Sequence, residues 1–291
     1  MELLKCLVAA VVIVIACAFE SRDKFRYYGK FVLYGVWSSI VAVIMLPWII
    51  LDSPGHVKHA RHASILLRLY TKLLGIEWEL RGVEQIEKVD ACVVVVNHQS
   101  ILDILGLFNI WTTLGNLAAV AKNALFWVIP FGPIAWLAGT VFIDRKNGKA
   151  SMETLITVVD KSRGQATKLL IFPEGTRNKN ILSNGIQPFK KGAFKIAIDN
   201  RLPILPLVFS PYYFIDEKTC FFGHGRVIIN ALEPISTENL GPLDVEELTK
   251  KTHSVMQKEF ESLTKEVLST VRQDYPANVQ WLQEHLKARN S

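Results

Sequence analysis

The sequence predicts an α/β fold, a mostly parallel sheet flanked by helices, behind an N-terminal membrane-embedded two-helix region. From residue 65 onward, short β-branched runs alternate with helical stretches, the usual pattern of a parallel sheet with helical crossovers. Two uncharged apolar runs precede them, and the mean hydropathy of +0.23 is high for a soluble chain. We therefore expect residues 1–64 to anchor the protein in a membrane. Residues 65–291 are expected to form a cytosol-facing domain with a C-terminal amphipathic helix.

Composition excludes several classes of protein. The 291 residues are 50% hydrophobic and 21% charged, with a formal net charge of +6, which rules out disordered, collagenous and disulfide-scaffold chains. The four cysteines are scattered without a Cys-x-x-Cys pair, so neither a disulfide framework nor a zinc site is predicted. They are Cys6, Cys17, Cys92 and Cys220.

The two N-terminal apolar runs cover residues 6–19 and 31–51. The second is long enough to span a bilayer, whereas the first is short for a span. Residues 16–18, Ala-Cys-Ala, resemble a signal-peptidase site, so a cleaved signal is an alternative to a retained anchor. Two spans, or a cleaved signal followed by a stop-transfer helix, put the remaining chain in the cytosol. A single span with a cytosolic N-terminus puts it in the lumen.

Strands and helices alternate through the rest of the chain. The predicted strands are apolar runs of strand length, at residues 91–96, 117–121, 140–143, 168–172, 204–209 and 226–230. The predicted helices have helical length and spacing, at residues 100–108, 125–137, 151–162, 193–199 and 245–271. Pro203 and Pro206 favour a sheet edge or a strand end for the strand that they flank or enter.

The first group of chemically active residues follows the buried strand at residues 91–96. His98 leaves this strand, and Asp103 follows one turn later on the next helix. Its carboxylate is placed to accept from Nδ1–H of His98, leaving Nε2 as a general base. Ser100 lies in no nucleophile elbow, so the hydroxyl to be deprotonated is sought on a substrate. In isolation, the pair also suits a helix cap and a surface charge.

The second group is Phe-Pro-Glu-Gly-Thr-Arg at residues 172–177, again after an apolar strand. Gly175 permits close backbone approach, and Thr176 and Arg177 add hydroxyl and guanidinium donors, which together suit a phosphate. Glu174 either orients Arg177 or Lys190 by an ion pair or accepts from a substrate hydroxyl. An ordinary glycine turn flanked by charges is the alternative.

The third group is Arg145, which follows the strand at residues 140–143. In a parallel sheet its side chain shares one edge with His98 and Arg177, as a phosphorylated, hydroxyl-bearing substrate requires. Three lysines near strand ends or loops are candidates for added positive charge, although each also suits a solvated surface lysine. They are Lys122, Lys190 and Lys191.

No metal site is predicted. His56, His59 and His62 recur every third residue, but beside Lys58 and just past an apolar span they suit lipid headgroups better than a metal. The aromatic segment at residues 126–136 is interpreted as core or as a surface in contact with a membrane interface. Walker A, His-Glu-x-x-His and dinucleotide-binding motifs are absent from the sequence.

Taken together, four blocks resemble the glycerolipid acyltransferases in order and spacing, and most of all the 1-acylglycerol-3-phosphate acyltransferases. The blocks are Asn97-His98 with Asp103, then residues 142–145, 172–177 and 202–206. The resemblance covers roughly residues 65–235. Family members carry a Lys-x-Glu-Leu element where this chain has Lys-Asn-Ala-Leu at residues 122–125, so Lys122 matches and the acid is missing.

The resemblance implies transfer of a fatty acyl group from acyl-CoA to the sn-2 hydroxyl of lysophosphatidic acid, giving phosphatidic acid without an acyl-enzyme. It implies His98 as the base and Asp103 as its orienting partner. It further implies that the substrate is bound by Arg145, Glu174, Gly175, Thr176, Arg177 and Lys122. Acyl-CoA is then a co-substrate, no cofactor or nucleic acid takes part, and the protein is an endoplasmic reticulum membrane enzyme facing the cytosol.

Three alternatives remain at this point. A related acyltransferase would use glycerol-3-phosphate or another lysophospholipid as the acceptor. A membrane scaffold would keep the fold without turnover, and a membrane-anchored hydrolase would use water in place of the lysolipid. CoA release measured with and without an acceptor separates the two kinds of enzyme.

Overall fold

The computed structural model describes residues 23–144, 153–156, 166–271 and Tyr275. It has the predicted α/β fold, with a mostly parallel sheet flanked by helices. The strands are β1 (Ile76–Arg81), β2 (Val93–Val96), β3 (Leu117–Lys122), β4 (Val141–Ile143), β5 (Lys168–Ile171), β6 (Ile204–Phe209), β7 (Ile215–Asp216), β8 (Phe221–Phe222) and β9 (Gly225–Ala231).

The helices lie between and before these strands. They are α1 (Asp23–Asp52), α2 (Lys58–Leu67), α3 (Tyr70–Leu74), α4 (Val83–Glu87), α5 (Leu102–Leu114), α6 (Phe131–Leu137), α7 (Ile181–Asn184), α8 (Gly192–Asp199) and α9 (Val245–Ser269). Two short 3₁₀ helices, Asn123–Trp127 and Pro242–Asp244, complete the described secondary structure apart from residues 153–156, which are helical.

Seven strands form the main sheet in the order β1-β9-β6-β2-β5-β3-β4, and β7 and β8 form a separate hairpin. Every neighbouring pair in the main sheet is parallel except β6 and β9, which are antiparallel. The carboxyl ends of β2, β3, β4, β5 and β6 therefore meet at one edge of the sheet. Ligands of open α/β sheets bind at such an edge.

The middle of the sheet is the most buried part of the chain. All four valines of β2 are fully buried, with β5 on one side and β6 on the other. A strand covered on both faces needs a continuous apolar run rather than an alternating one, which is the pattern that predicted β2. Residues after β2 consequently emerge from a rigid part of the core.

The expectation that the prolines mark a sheet edge is wrong for Pro206, which lies inside β6 between β2 and β9. Ile204 N–H donates to Ile235 O. The nitrogen of Pro206, two residues further along β6, faces the same side of the strand as that N–H. Pairing with β9 begins only at Leu207. Proline is tolerated there because no ladder hydrogen bond needs its missing N–H.

Other elements differ from the sequence prediction in extent. The helix predicted over residues 125–137 is divided into a 3₁₀ helix and α6, with Pro130 just before α6; proline supplies no N–H to continue a helix. Strand β1 was not predicted, although its sequence Ile-Glu-Trp-Glu-Leu-Arg alternates apolar and charged residues as a half-buried strand does. Most of the helix predicted over residues 151–162 lies outside the described residues.

Helix α1 contains the second predicted apolar run and is long and apolar enough to cross a membrane, by length and composition alone. One face packs on the α/β domain, while Val36, Val43 and other apolar side chains on the opposite face are exposed. Lys30 of α1 is buried and donates to the backbone oxygens of Leu74 and Phe222. The first apolar run, residues 6–19, lies outside the described residues.

Candidate active site

A histidine–aspartate pair lies at the carboxyl end of β2. Nδ1 of His98 is 2.6 Å from Oδ2 of Asp103. Asp103 is in the first turn of α5 and is fully buried, whereas the His98 side chain is 17% exposed. A hydrogen bond at Nδ1 fixes the ring orientation and leaves Nε2 for a proton transfer.

Backbone donors hold the same carboxylate oxygen in place. Oδ2 of Asp103 also accepts from the N–H groups of Gln99 and Ser100, at 2.7 and 3.1 Å. Three contacts therefore meet at one oxygen, and Ser100 contributes to them through its backbone N–H. They hold the Asp103 side chain in position as the partner of His98.

Two amide side chains tie the His98 loop to the end of β6. Asn97 donates to Phe209 O at 3.0 Å and accepts from Phe209 N–H at 2.8 Å. Gln99 donates to Ser210 O at 3.0 Å and accepts from Tyr212 N–H at 3.2 Å. Because both amides are buried, these contacts hold the residue between them, His98, in a defined position.

Glu174 joins the His98 loop to the loop that follows β5. Its Oε1 accepts from His98 N–H at 2.6 Å and its Oε2 from Gln187 N–H at 3.1 Å. Burial, opposed by these two donors, raises the pKa of Glu174 to about 7. Across the described part of the chain, Glu174 forms no ion pair with Arg177 or Lys190, so the first of its two alternative roles is not seen.

The glycine turn after Glu174 needs its glycine. Gly175 has φ of +74°, and a Cβ added there would lie 2.7 Å from Nζ of Lys190. The side chain of Lys190 thus crosses directly over the turn. Thr176 and Arg177 are exposed beside it, so hydroxyl, guanidinium and ammonium donors lie on one loop.

The remaining predicted substrate-binding residues are on neighbouring strands. Lys122 is exposed at the carboxyl end of β3, in register with Ile143 of β4. Arg145 follows β4 and lies outside the described residues. Because β2, β3, β4 and β5 are parallel, the chain leaves all four at the edge that carries His98.

An apolar cavity of about 140 Å³ begins next to the histidine. Phe172 lines this cavity and stacks on the His98 ring, with centroids 4.1 Å apart and an interplanar angle of 22°. Most of the other lining residues belong to α1, α2, α5, α6 and β3 and include Met45, Ala63 and Phe108. This cavity could not be predicted from local sequence, because its lining residues come from distant segments.

Sequence analysis also assigned no role to Asn97, Gln99 or Tyr212. For Asn97 and Gln99 the sequence does carry one signal, because these two amides flank His98 directly after a buried strand. Buried amides require hydrogen-bond partners. No cluster of three or more potential metal ligands occurs among the described residues. His62 instead stacks on Trp48, with ring centroids 4.5 Å apart.

Comparison with known proteins identifies the family. The sequence model of the Acyltransferase family matches residues 77–210. Human 1-acyl-sn-glycerol-3-phosphate acyltransferase beta is 32% identical over 91% of this chain and 94% of its own length. The Escherichia coli (strain K12) 1-acyl-sn-glycerol-3-phosphate acyltransferase is 30% identical over 83% of this chain and 96% of its own length.

A solved structure has the same fold. The crystal structure of the 1-acyl-sn-glycerophosphate (LPA) acyltransferase PlsC from Thermotoga maritima superposes with a TM-score of 0.62 at 23% identity, covering 83% of this chain and 98% of that one. The family model, the relatives and this fold agree with the family that the four sequence blocks indicated. The chain belongs to the 1-acyl-sn-glycerol-3-phosphate acyltransferase family.

Proposed function

We propose that this protein transfers a fatty acyl group from acyl-CoA to the sn-2 hydroxyl of lysophosphatidic acid, giving phosphatidic acid. The observation that carries the proposal is the His98–Asp103 hydrogen bond beside an apolar cavity, to which Phe172 joins the His98 ring. The names of the relatives support the acceptor, since they are 1-acyl-sn-glycerol-3-phosphate acyltransferases. An oriented base beside an apolar site suits a lipid alcohol.

In the proposed reaction the substrate hydroxyl is the nucleophile. Nε2 of His98 takes its proton while the oxygen adds to the thioester carbonyl, and Asp103 stabilises the imidazolium that forms. Collapse of the tetrahedral intermediate forms the ester and breaks the C–S bond. CoA leaves as the thiolate, and His98 transfers the proton that it took from the hydroxyl to the thiolate sulfur. Backbone N–H groups near the motif are proposed to stabilise the oxyanion.

The phosphate of the acceptor is proposed to bind at the glycine turn. Arg177 and Thr176 supply side-chain donors of the type that phosphate requires. Gly175, whose own N–H donates to Phe172 O, lets a ligand approach the backbone closely. Arg145 and Lys122, which follow or end neighbouring strands, complete the proposed set. Glu174 is proposed to act by holding this turn against His98, since both its oxygens accept backbone N–H groups.

The apolar cavity is proposed to hold the acyl chain of the donor. Phe172 contacts both the His98 ring and the cavity, so a chain in the cavity ends beside the base. The cavity lining contains α1 residues such as Met45, whose helix has an exposed apolar face. A lipid-facing helix next to the cavity gives an acyl chain a route from the bilayer.

We further propose that the protein is an integral protein of the endoplasmic reticulum membrane, with residues 65–291 as a catalytic domain facing the cytosol. Helix α1, with its length and hydropathy, supports attachment to a bilayer. The basic chain, with a sequence pI of about 9.1, is suited to an anionic leaflet. The lysolipid and the acyl chain are both available there.

An acceptor panel tests the proposed substrate. CoA release from oleoyl-CoA is measured with detergent-purified protein and lysophosphatidic acid, glycerol-3-phosphate, lysophosphatidylcholine or no acceptor. We expect release with lysophosphatidic acid to exceed the other arms by at least about tenfold. If CoA release is greater with another acceptor, that acceptor is the substrate instead of lysophosphatidic acid. If release is equally high without any acceptor, the protein is a hydrolase.

A further inference from the structure

Asp103 has a second oxygen that the described contacts leave unused. Oδ2 accepts three hydrogen bonds, whereas buried Oδ1 has no hydrogen-bond partner within the described part of the chain. The hydroxyl of Tyr212 is likewise buried and without a partner there. A buried carboxylate oxygen and a buried hydroxyl each carry a desolvation cost that a mutual hydrogen bond would remove.

The Tyr212 hydroxyl faces this carboxylate. Burial, and after it the negative charge of the nearby Asp103, raises the pKa of Tyr212 well above its usual value. The phenol therefore keeps its proton throughout the physiological range and is available as a donor.

Two kinds of contact hold Tyr212 in this position. Its backbone N–H donates to Oε1 of Gln99, inside the His98 loop. Its ring packs edge-on against Trp78, with centroids 6.2 Å apart, and at a tilt against Phe214, with centroids 5.9 Å apart. The tyrosine is thus attached to the same loop as the catalytic histidine and has little freedom to turn away.

The other titratable groups that influence Asp103 have different partners. His98 binds Oδ2, and Glu174 from the loop after β5 binds two backbone N–H groups. Tyr34 of α1 also senses the Asp103 charge, but its hydroxyl interacts with Ser38. Tyr212 is therefore the group that faces Asp103 with a donor to spare.

We propose that Tyr212 is a positioning residue whose hydroxyl donates to Oδ1 of Asp103 in the working enzyme. This inference rests on the proposed function, in which His98 is the base. Hydrogen bonds of a catalytic site are often long without substrate and shorten in its complex. A bond to each carboxylate oxygen fixes the carboxylate plane, and with it the direction of the His98 ring.

Loss of the hydroxyl has two measurable consequences. The carboxylate plane is held from one side only, so kcat falls while KM for the lysolipid stays the same. The carboxylate also retains more negative charge, which stabilises protonated His98 more strongly. The acid limb of the kcat/KM profile and the NMR titration midpoint of His98 therefore both move to higher pH.

The test compares Tyr212→Phe with Tyr213→Phe. Tyr213 is equally buried and adjacent, but its hydroxyl accepts from Arg226 N–H instead of facing Asp103. Histidine Cε1 resonances of 13C-labelled protein, assigned with His98→Gln, are followed across pH without substrate. We expect Tyr212→Phe to raise the His98 midpoint by about half a unit or more and to lower kcat about 10- to 100-fold, the range of comparable orienting contacts. Tyr213→Phe should change neither.

The opposite result is also defined. If Tyr212→Phe and Tyr213→Phe lower the thermal unfolding midpoint alike and leave the His98 titration unchanged, Tyr212 is only a packing residue. If Tyr212→Phe does not fold, 3-fluorotyrosine at position 212, a stronger donor, is expected to lower the His98 midpoint, and an unchanged midpoint would contradict the proposal. The titration needs no turnover, so a failure of the proposed acyl transfer is detected separately, in the activity assay.

Discussion

Nδ1 of His98 lies 2.6 Å from Oδ2 of Asp103, five residues further along the chain. The histidine belongs to the end of a buried strand and the aspartate to the first turn of α5. Since β2 is fully buried between two parallel neighbours, the pair follows directly from the core of the sheet. This arrangement gives the imidazole an orientation and a counter-charge before any substrate arrives.

Asp103→Asn tests the counter-charge. Asparagine keeps the shape of the side chain but cannot neutralise an imidazolium, so we expect kcat to fall by about 10²–10⁴-fold. The measurement is steady-state transfer from oleoyl-CoA to lysophosphatidic acid, with circular dichroism to verify the fold. A variant that folds normally and retains more than about a tenth of wild-type kcat would show that the carboxylate charge is dispensable.

The raised pKa of Glu174 implies that the stability of the protein depends on pH. Because its pKa is raised from 4.5 to about 7, the folded state binds a proton that the unfolded state has lost between those values. The contribution of this group to the free energy of unfolding is present below pH 4.5 and falls as pH rises towards 7, by at most about 3 kcal/mol. Glu174→Gln removes the titration, so the decline across this window should become shallower.

Thermal unfolding midpoints between pH 4.5 and 8 measure this effect. Glu233→Gln is the control, since Glu233 is exposed. If wild type and Glu174→Gln lose stability in parallel over this range, the raised pKa of Glu174 is contradicted.

The glycine turn predicts a binding defect. Gly175→Ala adds a Cβ at φ of +74° and within 2.7 Å of the Lys190 ammonium, with a strain of about 1–2 kcal/mol. A shift of the turn and of the Lys190 side chain above it should disturb the proposed phosphate site and raise KM for lysophosphatidic acid more than KM for acyl-CoA. Gly192→Ala is the control, because a Cβ there meets no atom within 4 Å. If Gly175→Ala and Gly192→Ala have the same KM for lysophosphatidic acid, the phosphate binds elsewhere.

Lys30 predicts how α1 is attached. Its ammonium donates to Leu74 O at 2.9 Å and to Phe222 O at 3.2 Å, and lies 4.3 Å from the Phe222 ring centroid. Lys30→Met leaves buried carbonyl oxygens without this donor, which should destabilise the protein by about 2 kcal/mol. The unfolding midpoint in detergent is compared with that of Lys24→Met, since Lys24 is exposed. Matching midpoints would show that Lys30 does not fasten α1 to the domain.

Much of the fold and part of the site follow from local sequence. The valine run predicts β2, and the short spacing between His98 and Asp103 predicts that their side chains meet. Both depend on a few neighbouring residues, so both were predictable. The partners of Asn97 and Glu174 were not, because their hydrogen bonds reach Phe209, 112 residues away, and His98, 76 residues away. The position of Pro206 inside the sheet likewise depends on where pairing with β9 begins.

His98 is the residue on which the proposed acyl transfer depends most, as its base. The direct measurement is formation of phosphatidic acid from radiolabelled oleoyl-CoA and lysophosphatidic acid by purified wild type and by His98→Ala, with unfolding midpoints to verify folding. We expect product with wild type and a loss of at least about 10²-fold in the variant. A folded His98→Ala protein that forms phosphatidic acid at the wild-type rate would contradict the account.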